Sequence, residues 1–279
     1  MTFAPRTPGT RRRVAANGIT LGVMEYEGDG PPLVLLHGIG SRAESWWPVL
    51  DDLAAHFHLV ALDFRGHGAS DTPERGYLFS DYAADVAGML DALALDRPRI
   101  VGHSLGGLVA LEWAKTHPDQ AIAIALEDVA LRSEPSVLDA FDGWLALASM
   151  TREEAAASYR AEYPDWTDDE CWRRAESITS TAPEVFVELR ADSADNLAAG
   201  NKRLFDLGVI QSPLLLVHGD RERGSMLVPE DAATLTTMLP GTRFVRIPHA
   251  GHNIHRDFPA AFLAAAIPFL AEAPGDTGE

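Results

Sequence analysis

The stretch Gly102-His103-Ser104-Leu105-Gly106-Gly107 decides how this chain is interpreted. The apolar run RIV precedes it directly and the run LVALEWAK follows it directly, so the glycines fall in a tight turn between a strand and a helix. Such a turn presents the Ser104 hydroxyl at the carboxyl end of a sheet. Leu105 begins the helix that follows the turn, and its backbone N–H is able to stabilise an oxyanion. The pattern therefore predicts that Ser104 is a nucleophile.

Short apolar runs alternate with helical patterns along most of the chain, which predicts a parallel sheet covered by helices on both faces. The predicted strands are Ile19–Tyr26, Leu33–Leu36, Leu59–Asp63, Ile100–Gly102, Ile122–Glu127, Leu214–His218 and Phe244–Ile247. The predicted helices are Ala43–Ala55, Ser80–Leu95, Leu105–Thr116, Pro229–Leu239 and Phe258–Ala271.

The segment from Leu131 to Gln211 interrupts this alternation, because it has helical patches and no strand signal. An insertion of this length between two strands is expected to form a helical lid over the sheet rather than a loop. We therefore divide the chain into a first core part (1–130), a helical cap (131–211) and a second core part (212–279). The cap is expected to give an apolar pocket through Phe141, Trp144, Leu145, Leu147, Met150, Trp166, Trp172 and Phe186.

A serine nucleophile needs a general base, and His252 is the best candidate. It stands in Ala250-Gly251-His252-Asn253, after the last predicted strand and before the last predicted helix, where it is expected to reach the carboxyl edge of the sheet. The neighbouring His249 and His255 are its competitors. The chain order of serine before histidine agrees with the order known for this motif.

The segment His37-Gly38-Ile39-Gly40 follows another predicted strand and offers a second oxyanion donor. Its two glycines let the backbone approach a substrate closely, so we assign the N–H of Ile39 to this role. We interpret His37 as a packing residue. We interpret the turn over residues 63–70 as a brace for the neighbouring loops.

Composition excludes several classes of function. The net charge of −18 disfavours nucleic-acid binding through a basic surface. The single cysteine, Cys171, excludes an internal disulfide and favours a cytoplasmic location. No unbroken apolar stretch of about 18 residues occurs, so no membrane span is expected. We expect no metal and no cofactor, and the sequence predicts no particular oligomeric state. Residues 1–13 are interpreted as a mobile basic arm and residues 273–279 as a disordered tail.

Several motifs together resemble the α/β-hydrolase superfamily: HG-x-G with Trp46 one turn later, D-x-R-G-x-G-x-S from Asp63, GHSLGG, and AGH before the last helix. They occur in the family's order and cover the chain outside its ends. The resemblance implies an eight-stranded sheet with a helical cap between strands six and seven. It also implies Ser104 as nucleophile, His252 as base, and Ile39 and Leu105 as oxyanion donors.

The acid of the expected triad departs from the usual family pattern. After strand seven the chain reads GDRERGSMLVP, which is longer than usual and has Glu222 where an aspartate is expected. After strand six it reads Ala-Leu-Glu-Asp-Val, which ends in Asp128 and Val129. One branch of haloalkane dehalogenases and the zearalenone-type lactonases are similar in taking their acid from this strand-six position. We favour Asp128, with Glu222 and Asp220 as open alternatives.

A serine at the elbow, rather than the aspartate of dehalogenases and epoxide hydrolases, points to acyl transfer. The leading interpretation is a cofactor-free serine hydrolase that acts on an apolar carboxylic ester or lactone, with Gly38, His103 and Trp144 next to the substrate. Alternatives are a carbon–carbon bond hydrolase or a perhydrolase of the same fold, or a protein that only binds a small molecule beneath its cap.

Overall fold

The computed structural model describes Thr7 and residues 9–272, and its eight-stranded, mostly parallel sheet confirms the predicted fold class. The strands are β1 (Gly9–Ala16), β2 (Ile19–Tyr26), β3 (Pro32–Leu36), β4 (His58–Leu62), β5 (Arg99–His103), β6 (Ala123–Glu127), β7 (Leu214–His218) and β8 (Arg243–Arg246). Their order across the sheet is β1-β2-β4-β3-β5-β6-β7-β8. β2 is antiparallel to both β1 and β4, and all the other pairs are parallel.

Helices connect these strands. They are α1 (Leu50–Ala54), α2 (Phe79–Ala92), α3 (Leu105–Thr116), α4 (Pro135–Ala148), α5 (Arg152–Glu162), α6 (Asp168–Thr179), α7 (Pro183–Ala198), α8 (Lys202–Phe205), α9 (Pro229–Met238), α10 (Ile254–Asp257) and α11 (Pro259–Glu272). The single helix predicted over Ala43–Ala55 is wrong. It is divided into a 3-10 turn, Ala43–Trp46, and α1, because Pro48 between them has no N–H to donate.

The arm predicted at the start of the chain is wrong where the structure describes it, because Gly9–Ala16 forms the outermost strand. Asn17 and Gly18 have φ angles of 49° and 77°, the positive values that a two-residue hairpin turn of the favoured hand requires. This turn pairs β1 with β2. Ion pairs hold the strand's arginines, among them Arg11–Asp63 at 3.1 Å, Arg12–Glu25 at 2.8 Å and Arg13–Asp71 at 2.8 Å. Residues 1–6 and 8 of the predicted arm, and the predicted tail 273–279, lie outside the described residues.

Successive strand residues point to opposite faces of the sheet, and helices cover both faces, so the side chains on both are buried. On β3, Val34 and Leu36 face the layer that contains α2 and α3, while Leu33 and Leu35 face the layer that contains α1 and α11. All four side chains are fully buried. Each contributes about 1.5–3 kcal/mol to folding by this burial. The double coverage explains why the parallel strands are continuous apolar runs.

The helical cap lies between β6 and β7, as predicted, and consists of α4 to α8. Within it α5 packs on α6, and α4 packs on α6 and α7. Thr151 and Thr167 begin α5 and α6 with capping boxes, in which each threonine hydroxyl accepts from the backbone N–H three residues later. Buried cap residues such as Phe186 are continuous with the apolar layer on the α2–α3 face of the sheet. Across Thr7 and residues 9–272, no helix combines the length and the apolar character that crossing a bilayer requires.

Candidate active site

Ser104 occupies a strained turn between β5 and α3, with φ 51° and ψ −114°. A non-glycine residue in this conformation costs about 1–3 kcal/mol, which the surrounding packing must offset. The glycines near Ser104 are required because neighbouring backbone atoms leave no room for a side chain. A Cβ on Gly102 would lie 2.5 Å from the oxygen of Gly106, and a Cβ on Gly106 would lie 2.1 Å from the oxygen of Leu36. The turn therefore depends on residues without side chains, and it directs Ser104 into a cleft beneath the cap.

His252 lies in the loop between β8 and α10 and is bonded to Asp128. Its Nδ1 donates to Asp128 Oδ2 at 2.7 Å, which leaves Nε2 as the proton acceptor. Asp128 follows β6 directly, is fully buried, and also accepts from the N–H of Met226 at 2.8 Å and from the Ser225 hydroxyl. Ser104 and His252 border the same cleft, but no hydrogen bond joins them. Such bonds commonly form only when substrate is bound.

The competing acids and histidines lie elsewhere. Asp220 accepts from Arg246 Nε at 2.6 Å and from the N–H of His249 at 2.9 Å. The hydrogen bond from Arg246 holds the pKa of Asp220 below its usual value. Glu222 is exposed on a 3-10 turn, and both carboxylates line a separate cavity beside Arg246. His249 is exposed. Among the candidate acids, only Asp128 contacts His252 in the described structure.

The two assigned oxyanion donors both border the space around Ser104. The N–H groups of Ile39 and Leu105 have no hydrogen-bond acceptor among the described residues, as a pair of donors waiting for a ligand oxygen requires. Gly38 is needed at this point because a Cβ there would lie 2.7 Å from His103 Nδ1. His103 Nε2 donates to the carbonyl oxygen of His252 at 3.0 Å, which fixes the loop that carries the base.

Two buried histidines brace the loop that carries Ile39. His37 Nε2 accepts from the N–H of Phe64 at 3.1 Å, and His67 Nε2 accepts from the N–H of Gly40 at 3.2 Å. Both rings must be neutral to accept, and burial lowers the pKa of each to about 3. His37 is therefore a packing residue, as predicted, and the turn over residues 63–70 braces the neighbouring loop through His67.

A second histidine–carboxylate pair lies beside the first, and the sequence analysis missed it. Glu127 and His255 are both buried, and His255 Nδ1 lies 2.8 Å from Glu127 Oε2. The backbone N–H of His255 also donates to Glu127, at 2.9 Å. The pair joins the same two chain segments as Asp128 and His252 do. Glu127 was detectable as a charged residue at the end of an otherwise apolar strand.

The active-site cleft has a volume of about 200 Å³ and lies between the sheet edge and the cap. Gly38, His103 and Trp144, the three predicted substrate contacts, all line it. The cap residues Leu147 and Trp166 line it as well, whereas Leu145, Met150, Trp172 and Phe186 do not.

The prediction of an apolar pocket is wrong for this cleft, because Arg174 and Arg256 also line it. Neither arginine lies in a local motif that would have indicated its position.

A smaller apolar chamber of about 40 Å³ adjoins the cleft at Ile39, Ser104 and Trp144. Its apolar walls come from Phe79, Leu108, Val137, Phe141 and Leu189. A volume of this size holds about three water-sized groups. Ser104 therefore stands between a larger, charged space and a smaller, apolar one.

Comparisons with known proteins agree with the fold. A family model described as the alpha/beta hydrolase fold matches residues 31–259. The chain is 33% identical to 2-(acetamidomethylene)succinate hydrolase of Mesorhizobium japonicum over 93% of its length and 94% of that protein's. It is 29% identical to N-formylmaleamate deformylase of Pseudomonas putida, over 92% of its length and 95% of that protein's. The solved structure of Est816, described as an N-acyl homoserine lactone degrading enzyme, matches with a TM-score of 0.70 and 25% identity, covering 92% of this chain and 100% of that one. The chain therefore belongs to the α/β-hydrolase fold family.

Proposed function

We propose that this protein is a cofactor-free serine hydrolase that cleaves a small carboxylic ester or lactone through an acyl-enzyme. The observation that carries the proposal is the 2.7 Å hydrogen bond between His252 and Asp128 in the cleft that Ser104 borders. A protein that only binds a ligand has no need for a strained serine, an oriented imidazole and two unoccupied N–H donors in one place.

The first half-reaction forms the acyl-enzyme. Ser104 Oγ attacks the carbonyl carbon while His252 Nε2 takes the hydroxyl proton. The N–H groups of Ile39 and Leu105 bind the oxyanion of the tetrahedral intermediate. The bond to the leaving oxygen then breaks, and His252 gives its proton to that oxygen. Asp128 keeps the ring oriented and stabilises its charged form throughout.

The second half-reaction hydrolyses the acyl-enzyme, with water as the nucleophile and Ser104 as the leaving group. His252 takes a proton from the water, whose oxygen attacks the acyl carbon. The bond to Ser104 Oγ breaks, and the proton returns to the serine. The products are a carboxylic acid and an alcohol, or one hydroxy acid when the substrate is a lactone.

An amide is the second candidate substrate. The two curated relatives named above act, by their names, on an acetamido compound and an N-formyl compound. The same residues would serve an amide if His252 protonates the leaving nitrogen before the carbon–nitrogen bond breaks. The lactone-degrading Est816 supports the ester and lactone candidate. The single cysteine, Cys171, supports a cytoplasmic enzyme.

Matched acyl donors test the proposal. We expect 4-nitrophenyl butyrate to be hydrolysed, and a fluorophosphonate to add one covalent label that the Ser104→Ala variant lacks. Ser180→Ala, an exposed serine on the cap, is the control and should still be labelled. Butyryl 4-nitroanilide decides between the two bonds: a kcat/KM at or above that of the ester would favour the amide. Failure of labelling and of both hydrolyses would refute the proposal.

A further inference from the structure

Two arginines enter the active-site cleft from different elements. Arg174 comes from α6 of the cap and Arg256 from α10, four residues after His252. Arg174 Nη1 donates to the carbonyl oxygen of Gly40, and Arg256 Nη2 donates to the Ser41 hydroxyl at 3.1 Å. Both guanidinium groups are thus fixed to the loop that directly follows Ile39.

Neither arginine has a carboxylate partner within 4.0 Å in the part of the chain that the structure describes. Glu162, which also lines the cleft, forms no ion pair with either of them. The Nε of Arg256 is shielded from solvent and has no acceptor among the described residues. This is unexpected in a chain with 41 acidic and 23 basic residues, where partners are abundant.

The arginines of the adjoining apolar chamber provide the contrast. Arg132 is paired with Asp231 at 2.6 Å, and Arg203 is paired with Asp192. Arg132 and Arg203 are therefore in ion pairs, whereas Arg174 and Arg256 form none with the carboxylates that the structure describes. The cleft and the chamber on the two sides of Ser104 thus differ in the pairing of their arginines as well as in volume.

Both cleft arginines carry charge at neutral pH. Burial, together with the charge of Arg174, lowers the pKa of Arg256 to about 10, which still leaves it protonated at pH 7. Two like charges held in a partly desolvated space are unfavourable until an anion enters between them. A guanidinium presents its N–H groups as a planar fork that matches a carboxylate.

We propose that the substrate carries a free carboxylate, which Arg174 and Arg256 bind while the scissile carbonyl lies at Ser104. The carboxylate end occupies the cleft on the side of Gly40 and Ser41, and the other end of the substrate enters the apolar chamber. The inference deepens the proposed function and rests on it for the reaction, although carboxylate binding is measurable without any turnover.

Paired substrates test the inference by kinetics. One pair is 4-nitrophenyl hydrogen glutarate and its methyl ester, with the charge on the acyl side. The other is 3-acetoxybenzoate and its methyl ester, with the charge on the alcohol side. We expect the charged member of at least one pair to have the higher kcat/KM by about 10-fold or more, equivalent to about 1.4 kcal/mol.

Charge-removing variants identify the residues responsible. Arg174→Gln and Arg256→Gln should each reduce the preference for the charged member to about 3-fold or less. Arg160→Gln removes an exposed cap arginine that pairs with Asp168, outside the cleft, and should keep the wild-type ratio. Equal rates for both members of both pairs in the wild-type enzyme would overturn the inference, as would a preference that survives both cleft substitutions. A phosphate-bearing ester with a higher kcat/KM than the carboxylate-bearing ester would also overturn the inference.

A binding measurement separates failure of this inference from failure of the proposed function. Calorimetry on the Ser104→Ala protein should detect succinate and not its neutral diamide, and the added substitution Arg256→Gln should weaken succinate binding at least 10-fold. Succinate binding that depends on the arginines, in a wild-type protein that hydrolyses no acyl donor, would refute the proposed function and leave the carboxylate site supported. Ester turnover without any succinate binding would refute the carboxylate site alone.

Discussion

Replacing Asp128 by asparagine removes one charge while the shape of the side chain is kept. Oδ2 accepts from His252 Nδ1 and from the N–H of Met226, and Oδ1 accepts from the Ser225 hydroxyl. An asparagine can place its oxygen at the Oδ2 position and its NH₂ towards Ser225, whose hydroxyl is able to reverse and accept. The fold and the imidazole orientation should therefore survive. What is lost is the negative charge that stabilises the imidazolium in the transition state.

The magnitude follows from the short contact. Unit charges about 4 Å apart interact by about 4 kcal/mol at an effective dielectric constant of 20. A neutral hydrogen bond retains part of this, so we expect a loss of about 3–4 kcal/mol, or about 10² to 10³ in kcat/KM. If the amide instead turns the ring to the wrong tautomer, the loss approaches about 10⁴.

The assay compares kcat/KM on 4-nitrophenyl butyrate for purified variants with matched thermal melts. Glu222→Gln should stay within about 10-fold of wild type, because Glu222 is exposed and lines a different cavity. Ser225→Ala keeps the charge of Asp128 and should also stay within about 10-fold. Wild-type activity in Asp128→Asn, or a larger loss in Glu222→Gln than in Asp128→Asn, would refute the reasoning.

Three further outcomes are expected. Ser104→Ala should keep the melting temperature and lose all but the roughly 10³–10⁴-fold acceleration over water that binding and the oxyanion donors supply; turnover above a few per cent of wild type would contradict it. His67→Gln should flatten the dependence of stability on pH. Its ring titrates at about 3 in the fold against 6.5 when unfolded, so stability falls as pH drops from 6.5 towards 3, by at most about 1.4 kcal/mol per pH unit. Urea unfolding at pH 5, 6 and 7 checks this, and an unchanged slope would exclude His67 as the source. Trp144→Ala should alter the preference among ester chain lengths, whereas Trp172→Ala should not, because Trp144 lines the cleft and Trp172 does not. Equal effects of the two would contradict the assignment of the cleft.

Local motifs predicted the positions of Ser104 and His252, because each lies in a short turn whose geometry its own glycines specify. Local motifs do not identify the acid, since the ends of β6 and β7 are neighbours in the sheet and both are followed by carboxylates. What distinguishes Asp128 is its hydrogen bond with His252, together with donors from Ser225 and Met226, and all of these lie about a hundred residues or more away in sequence. No spacing rule predicts such a contact.

The cleft arginines were not predictable for the same reason. Whether an arginine is paired depends on which acids the fold brings near it, and Arg174 and Arg203 look alike in the sequence. Strand β1 is different, because its signal was present in the Asn17-Gly18 dipeptide. The run of three arginines beside it hides the alternation expected of a strand, and such a run of charge is typical of a solvated arm.

The arginines of the outer strands also affect how molecules of this protein meet one another. Within residues 9–272, β1 and β8 are the two strands with a neighbouring strand on one side only. Each carries arginines in ion pairs, among them Arg12 with Glu25 and Arg246 with Asp220. An edge strand is a template on which a strand of another molecule can add, and this is a common route to aggregation. To add here, an incoming strand would have to strip water from the guanidinium groups and separate these pairs. The same residues that disguised β1 in the sequence thus discourage the sheet from growing beyond one molecule.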